Sequence, residues 1–313
     1  MMSRGVVASA PKTVAYDKKG IKMPRTRAKR RTRRKGKTRL ARAPKLATGI
    51  VVLAVLVAVF GPMISSWNAT ETDLVARQLP PAWMDGGDPG HWFGTDRQGR
   101  DILVRVMVGA RVSLTIAVLV ILISGIVGTA LGLIAGYKGG WVDAVITRVI
   151  DGMSAFPPVL VALAVAVTVG SSLWVVVGVL SLVLWSRYAR LVRAETLSWK
   201  EREFVLAAIV TGCRPVRVVL RHVLPNLVST VIVFSTLQVG YVILSEAALS
   251  FLGAGVPPPT PTWGGMIADG HNYIDTLWWM WVFPGIAIAG VIVSANLLGD
   301  WLRDEFDPRL RQV

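Results

Sequence analysis

Five long, strongly apolar stretches of this chain carry no Asp, Glu, Lys or Arg. Four of them, Leu46–Thr70, Val112–Tyr137, Val223–Ser245 and Thr276–Gly299, each match the length of one membrane-spanning helix. Such a helix needs about 20 mostly apolar residues to cross roughly 30 Å of hydrocarbon. The fifth stretch, Gly152–Ser186, is too long for one helix and tight for two. Splitting it at Gly170-Ser171-Ser172 predicts six helices, over 46–66, 112–136, 149–169, 173–193, 226–250 and 277–301. The expected fold class is therefore an all-α polytopic membrane protein with six transmembrane helices.

Charge decides the expected orientation. The formal net charge is +16, and residues 1–45 hold 17 Lys/Arg against one acidic residue, Asp17. The remaining residues are balanced. A basic soluble nucleic-acid-binding domain, which carries its charge on a folded surface, does not fit this distribution, and no nucleic acid partner is expected. With 53% hydrophobic residues the body is too apolar for intrinsic disorder, whereas residues 1–45 read as a basic, disordered tail. Cytoplasmic loops favour Lys/Arg. A six-helix chain with both termini inside puts 30 of them on the cytoplasmic side and five, from Arg77 to Arg111, outside. The first apolar segment then reads as an uncleaved signal anchor, and residues 67–111 as an extracytoplasmic segment. The core would be 112–313, with five helices and a cytoplasmic loop at about 196–225. Anionic lipid is the expected partner of the tail.

Inside the helices the chemistry is sparse. Gly125, Gly128, Gly132 and Gly136 recur at spacings that share one helix face, which lets a neighbouring helix come close, most simply within the same chain. Pro157-Pro158 and Pro284 lie in apolar runs and are expected to bend their helices. Glu246, near the outer end of the fifth helix, and Gln238 are the candidates for a translocation path. Asp151 has Arg148 three residues earlier as an expected partner. So few titratable groups at depth argue against a proton-coupled secondary carrier, the rival transport class. The single cysteine, Cys213, excludes a disulfide scaffold and a Cys-based zinc cluster, and no metal site is expected.

The loop between the fourth and fifth helices reads as helix–turn–helix. Glu201 and Glu203 suit a helix start, Gly212 a C′ position and Pro215 a first turn. Val216, Val219, Leu220 and Val223 form one expected apolar stripe, with Arg214, Arg217 and Arg221 on another face. Ala207 and Ala208 leave the preceding helix nearly flat, open to close approach by a partner.

These residues carry a family resemblance. Ala207, Ala208, Gly212, Leu224 and Pro225 resemble the "EAA" loop of ABC-importer membrane subunits, and Arg221-His222-x-Leu224-Pro225-Asn226 resembles its peptide/nickel branch. The glutamate usual before the alanine pair is Leu206 here; Glu203 stands at the earlier acidic position. Gly94-Thr95-Asp96-x-x-Gly99-Arg100-Asp101 with Gly109-x-Arg111-x-Ser113-Leu114 is similar to the stretch before the second helix in C-type permease subunits. Gly136-Tyr-x-Gly-Gly-Trp-x-Asp143 with Arg148 and Asp151 fits as well, as does Gly299-Asp300-x-Leu302-Arg303-Asp304-x-x-Asp307-Pro308-Arg309-Leu310.

The resemblance implies a type I ABC importer transmembrane domain, a non-catalytic permease subunit for di- or oligopeptides in a bacterial cell membrane. Nickel chelate, haem and glycoside systems share such subunits. Its implied partners are a second, B-type permease subunit, two cytoplasmic ATPase domains that bind ATP and Mg, and an extracytoplasmic substrate-binding protein. The implied coupling loop comprises Glu203, Ala207, Ala208, Gly212, Arg217, Arg221, His222 and Pro225. The chain has no G-x-x-x-x-G-K-[ST] pattern of its own, and no cofactor is expected in it. Residues 67–111 and Pro257–Pro261 are expected to face the binding protein.

Overall fold

A computed structural model describes residues 44–64 and 68–306; the basic tail 1–43 and residues 307–313 lie outside that range. The helices are α1 (Lys45–Ile64), α2 (Ile102–Lys138), α3 (Gly140–Ala155), α4 (Pro158–Val169), α5 (Leu173–Lys200), α6 (Glu203–Val210), α7 (Pro215–Val218), α8 (Leu224–Phe251), α9 (Trp263–Gly270) and α10 (Trp279–Phe306). A π-helical segment, Val219–Val223, joins α7 to α8. Four elements are individually long and apolar enough to cross a membrane: α2, α5, the Pro215–Phe251 stack and α10. The α3–α4 pair makes a fifth if it is one span, and α1 is apolar but shorter, over Lys45–Gly61. Each of the six expected segments thus falls on an observed helix, the third on two.

The expected boundaries shift where local chemistry outweighs hydropathy. α2 begins ten residues before the predicted 112, because Asp101 caps it: Oδ1 accepts from the Val104 N–H at 2.8 Å, and nothing between breaks the helix. The amphipathic stretch and the spanning stretch are therefore one rod. The expected helix 149–169 starts earlier, at Gly140, and turns through 84° at Phe156-Pro157. Proline has no N–H to continue the ladder, and it holds the preceding residue extended; Phe156 has ψ 134°. α5 runs to Lys200, two turns past the predicted end, and the fifth helix effectively begins at Pro215 rather than 226. Pro225 does not start it. The π-turn bond from Leu224 N–H to Val219 C=O re-registers the ladder just before that proline, and Asn226 Nδ2 donates to the His222 carbonyl at 2.7 Å.

The α2–α5 pair is the most extensive helix contact among the described residues. A Cβ at Gly132 would stand 2.7 Å from the Ala189 carbonyl oxygen, and one at Gly136 would stand 2.7 Å from Thr196 Cβ. At Gly128 it would overlap Tyr188 Cβ and the Trp185 carbonyl. The glycine stripe is thus an intramolecular seam, as expected. Tyr188, fully buried beside it, donates from its hydroxyl to Ser235 Oγ at 2.9 Å and meets Phe234 edge-on, which ties α8 to the pair. The main core gathers here, with Val120, Leu184, Val176 and Ile243 among its buried members.

α3 lies across the far end of this seam. Arg193 of α5 makes two hydrogen bonds to Asp143, at 2.5 and 2.7 Å. Asp151 pairs with Arg190 of α5 at 3.2 Å, not with Arg148. The tight α2–α5 crossing brings the α5 arginines over α3, and that contact takes precedence over the neighbour in sequence.

Gly132→Val is expected to cost about 1–3 kcal/mol through overpacking and to lower the thermal midpoint of the detergent-solubilised protein. Gly125→Ala, whose new Cβ meets Tyr188 at an ordinary 3.6 Å, should be neutral or stabilising. Equal effects at the two sites would refute the seam.

Candidate functional site

Two polar or exposed elements sit at opposite ends of the α2–α5 pair. At one end, α5 emerges beyond the bundle and turns at Glu201-Arg202 into α6. Lys200 Nζ donates to the Tyr137 carbonyl at 2.9 Å, so the last residues of α5 and α2 are tied together. Val205 of α6 is fully buried against Leu133 of α2, Val192 of α5 and the line Val218, Val223, Leu227. This line differs from the expected stripe. Val219 and Val223 join the cluster, but Val216 and Leu220 are exposed, because the π-helical segment changes the phase of the helix between Pro215 and Leu224.

Gly212 ends α6 as predicted. Its φ of +80° lies where a side chain is strained, and the Cys213 N–H returns to the Ala208 carbonyl at 3.1 Å while Thr211 N–H bonds that of Ala207. Pro215 then sits in the first turn of α7. Of the expected coupling residues, Glu203 and Ala207 are exposed on α6, Ala208 is half-buried against the chain's own core, and Arg217, Arg221 and Pro225 are exposed; His222 is half-buried. Phe204, Leu206, Ile209 and Val210 join Ala207 in an apolar exposed surface, Val210 being 87% exposed. Val205 and, in part, Ala208 thus anchor a helix whose remaining apolar residues stay exposed on this chain.

At the opposite end, residues 68–101 fold over α9 and the start of α10. Trp279 Nε1 donates to the Thr95 carbonyl at 3.0 Å, Trp263 Nε1 to that of Val106 at 2.9 Å, and Phe93 stacks on Phe283. Gly99 has φ +76° and lies so close to the Asp73 carbonyl that no Cβ fits. The turn it allows returns Arg100 to Asp96: Nε to Oδ2 is 2.6 Å. Arg105 lies 3.7 Å from Asp96 and from Asp269 of α9, and its Nη1 donates to the Ala69 carbonyl. Burial pushes the Asp269 carboxyl above its ordinary range, with Arg105 and Arg100 opposing that shift. A cleft of about 280 Å³ opens beside this cluster, lined by Arg77, Arg97, Gln98 and Pro258 as well. Sequence reading found the Gly-Thr-Asp motif but not its partner Asp269, which stands well over 150 residues away. The i, i+4 spacing of Asp96 and Arg100 was the available signal.

Glu246 and Gln238, the expected path residues, are both buried in this chain. Glu246 Oε1 accepts from Ser250 Oγ at 2.7 Å and from Thr262 Oγ1 at 2.8 Å, and its other oxygen faces Gly264. It braces α8 against α9. In this arrangement neither residue opens onto a surface along which a solute could pass.

Residues 128–312 match the model of a family described as "Binding-protein-dependent transport system inner membrane component". The chain belongs to that family. The match takes in the last three turns of α2, the α3–α4 bend, α6 with its π-helical neighbour, and α10. Among similar proteins is a dipeptide transport system permease protein of Alkalihalophilus pseudofirmus, 40% identical over 270 residues, which are 85% of this chain and 87% of that one. A putative peptide permease protein of Brucella suis is 40% identical over 250 residues, 79% of this chain and 81% of its own. A putative peptide transport system permease protein of the same species is 40% identical over 275 residues, 87% and 90% of the two chains. Family membership makes this chain an inner-membrane component of a binding-protein-dependent transport system and agrees with the all-helical type I importer fold.

Asp96→Ala leaves two buried guanidiniums without their central carboxylate and is expected to cost about 3 kcal/mol, read as a lowered thermal midpoint and earlier proteolysis within residues 68–101. Asp88→Ala, on an exposed turn of the same segment, is the control and should change neither.

Proposed function

We propose that this chain is one of two different permease subunits of an ATP-driven importer for di- or oligopeptides, forming half of its translocation path. The names of the relatives support the substrate class. Support for the coupling comes from one observation: the exposed apolar face of α6, held on a rigid base formed by the ends of α2 and α5. The distribution of Lys/Arg places α6 and both termini in the cytoplasm. Residues 68–101 and Pro257–Pro261 then face the extracytoplasmic side, where a substrate-binding protein delivers solute.

In this reading α6 inserts into a surface groove of a partner ATPase, with Ala207 at the point of closest approach and Glu203, Arg217 and Arg221 at the polar rim. Leu206 lies within the apolar face, so its replacement of the usual glutamate adds contact area where other members carry charge. Gly212 sets the angle between α6 and α7. ATP binding brings the ATPase domains together and draws the two coupling helices with them. Because α6 is packed on the ends of α2 and α5, the motion passes to the helices that enclose the path. The work comes from the difference in affinity of the ATPase dimer for the two arrangements, and this chain contributes no hydrolytic chemistry.

Ala207→Trp tests the docking directly, since the new ring points away from this chain's own core. Copurification of the ATPase subunits and ATP-dependent uptake should both fall at least about tenfold, the equivalent of about 1.4 kcal/mol, while the thermal midpoint of the isolated subunit is retained. Uptake of alanyl-alanine by the wild-type importer tests the substrate class; uptake of a nickel chelate, haem or a glycoside in its place would redirect it. Transport that persists without ATP hydrolysis would overturn the importer reading.

A further inference from the structure

Arg187 is an exposed residue of α5, more than three turns inside the end where α5 meets α6. The predicted helix over 173–193 already contains it, and in the observed helix, Leu173–Lys200, it stands at mid-length. Its guanidinium lies 4.0 Å from the ring centroid of Tyr241 on α8. Tyr188, bonded to Ser235, sets the register of α5 against α8, and the two helices run in opposite directions because the α6 loop joins them. Tyr241 stands six residues beyond Ser235, about 9 Å deeper from the α6 end at 1.5 Å per residue. Each Cα–Cβ bond leans towards the N-terminus of its own helix. Arg187 therefore leans away from the cytoplasmic end while Tyr241 leans towards it, and the two side chains meet.

An arginine facing lipid does the reverse. It extends along the helix to the nearest interface and leaves its charge in water. The next two arginines of α5 differ as well: Arg190 reaches Asp151 and Arg193 reaches Asp143. Among the described residues, no carboxylate lies within ion-pair distance of Arg187. Stacking on Tyr241 occupies the face of the guanidinium and leaves its in-plane N–H donors available to a planar acceptor, for which a carboxylate is the best geometric match. An exposed cation at that depth belongs in a water-filled path rather than in hydrocarbon.

We propose that Arg187, stacked on Tyr241, lines the aqueous translocation path and binds the carboxylate of the passing solute. The assignment rests on the peptide-importer reading, in which every solute carries a C-terminal carboxylate. It replaces Glu246 and Gln238, which are closed off, as the chain's path chemistry.

The test uses the complete importer in liposomes, with Cys213→Ser removing the chain's one native thiol and Arg187→Cys placing a new one. The probe is sulfonatoethyl methanethiosulfonate, an anionic reagent confined to water, and its adduct is read by mass spectrometry of this chain. Labelling during ATP turnover, slowed several-fold by saturating alanyl-alanine, is the expected result. Separately, Arg187→Gln should lower alanyl-alanine uptake about tenfold, as the loss of a charge-assisted pair does, with Arg187→Lys falling between it and wild type. Three results overturn the proposal: labelling only by a lipid-soluble maleimide, labelling indifferent to the peptide, or loss of the partner permease from the purified Arg187→Gln or Arg187→Cys complex. The last would mean that Arg187 pairs across the subunit seam. If the wild-type importer takes up no alanyl-alanine, the peptide reading fails by itself, and access of the aqueous reagent to residue 187 still decides whether Arg187 faces the path.

Discussion

The close approach of α2 and α5 is the contact from which the other features take their positions. Three helical positions without side chains, Gly128, Gly132 and Gly136, let two backbones come within close reach, and van der Waals packing at that distance replaces the hydrophobic drive that helices lack in lipid. Tyr188, buried against this seam, carries the contact on to α8. The far end of α2 is capped by Asp101 and carries Arg105, which organises the Asp96–Arg100–Asp269 cluster. The far end of α5 carries Arg190 and Arg193 over α3, then continues into α6. The α2–α5 pair thus joins the α6 end of the chain to the Asp96–Arg100–Asp269 cluster.

The two ends are built in opposite ways. At the end formed by residues 68–101 the central charges are buried: Asp96 and Arg100, with Arg105 of α2, are nearly inaccessible and paired, and the Trp279 indole N–H holds the Thr95 carbonyl. Such a cluster gives a defined shape at a cost in desolvation. At the α6 end the pattern is reversed. Val205 is inserted and Ala208 half-buried, while Phe204, Leu206, Ile209 and Val210 stay exposed. An apolar face left open on a short helix that its own chain holds rigid suits a surface completed by another protein.

Much of this was legible in the sequence, and the misses have identifiable causes. The glycine stripe, the cap at Asp101, the C′ position of Gly212 and the N1 position of Pro215 are local rules, and each appears where its chemistry requires. The apolar stripe in α7 was misassigned because a π-helical segment breaks the 3.6-residue period on which such an assignment depends. Asp151 was given its neighbour Arg148 because sequence distance was the only distance available. Glu246 was expected on a path because a carboxylate at depth is costly; the structure meets that cost with Ser250 and Thr262 instead.

The sequence alone determined that the chain is a set of apolar helices with its net charge segregated to a tail, since span length and the Lys/Arg bias depend only on composition along the chain. It also determined the helix–turn–helix of the loop, because caps and prolines act within a few residues. Only the tertiary structure decided which carboxylates pair with which arginines, that Glu246 and Gln238 are both closed off, and that Arg187 meets Tyr241 of α8. Those outcomes depend on the register between helices far apart in sequence, and that register follows from packing at the α2–α5 seam and at Tyr188, which no local pattern encodes.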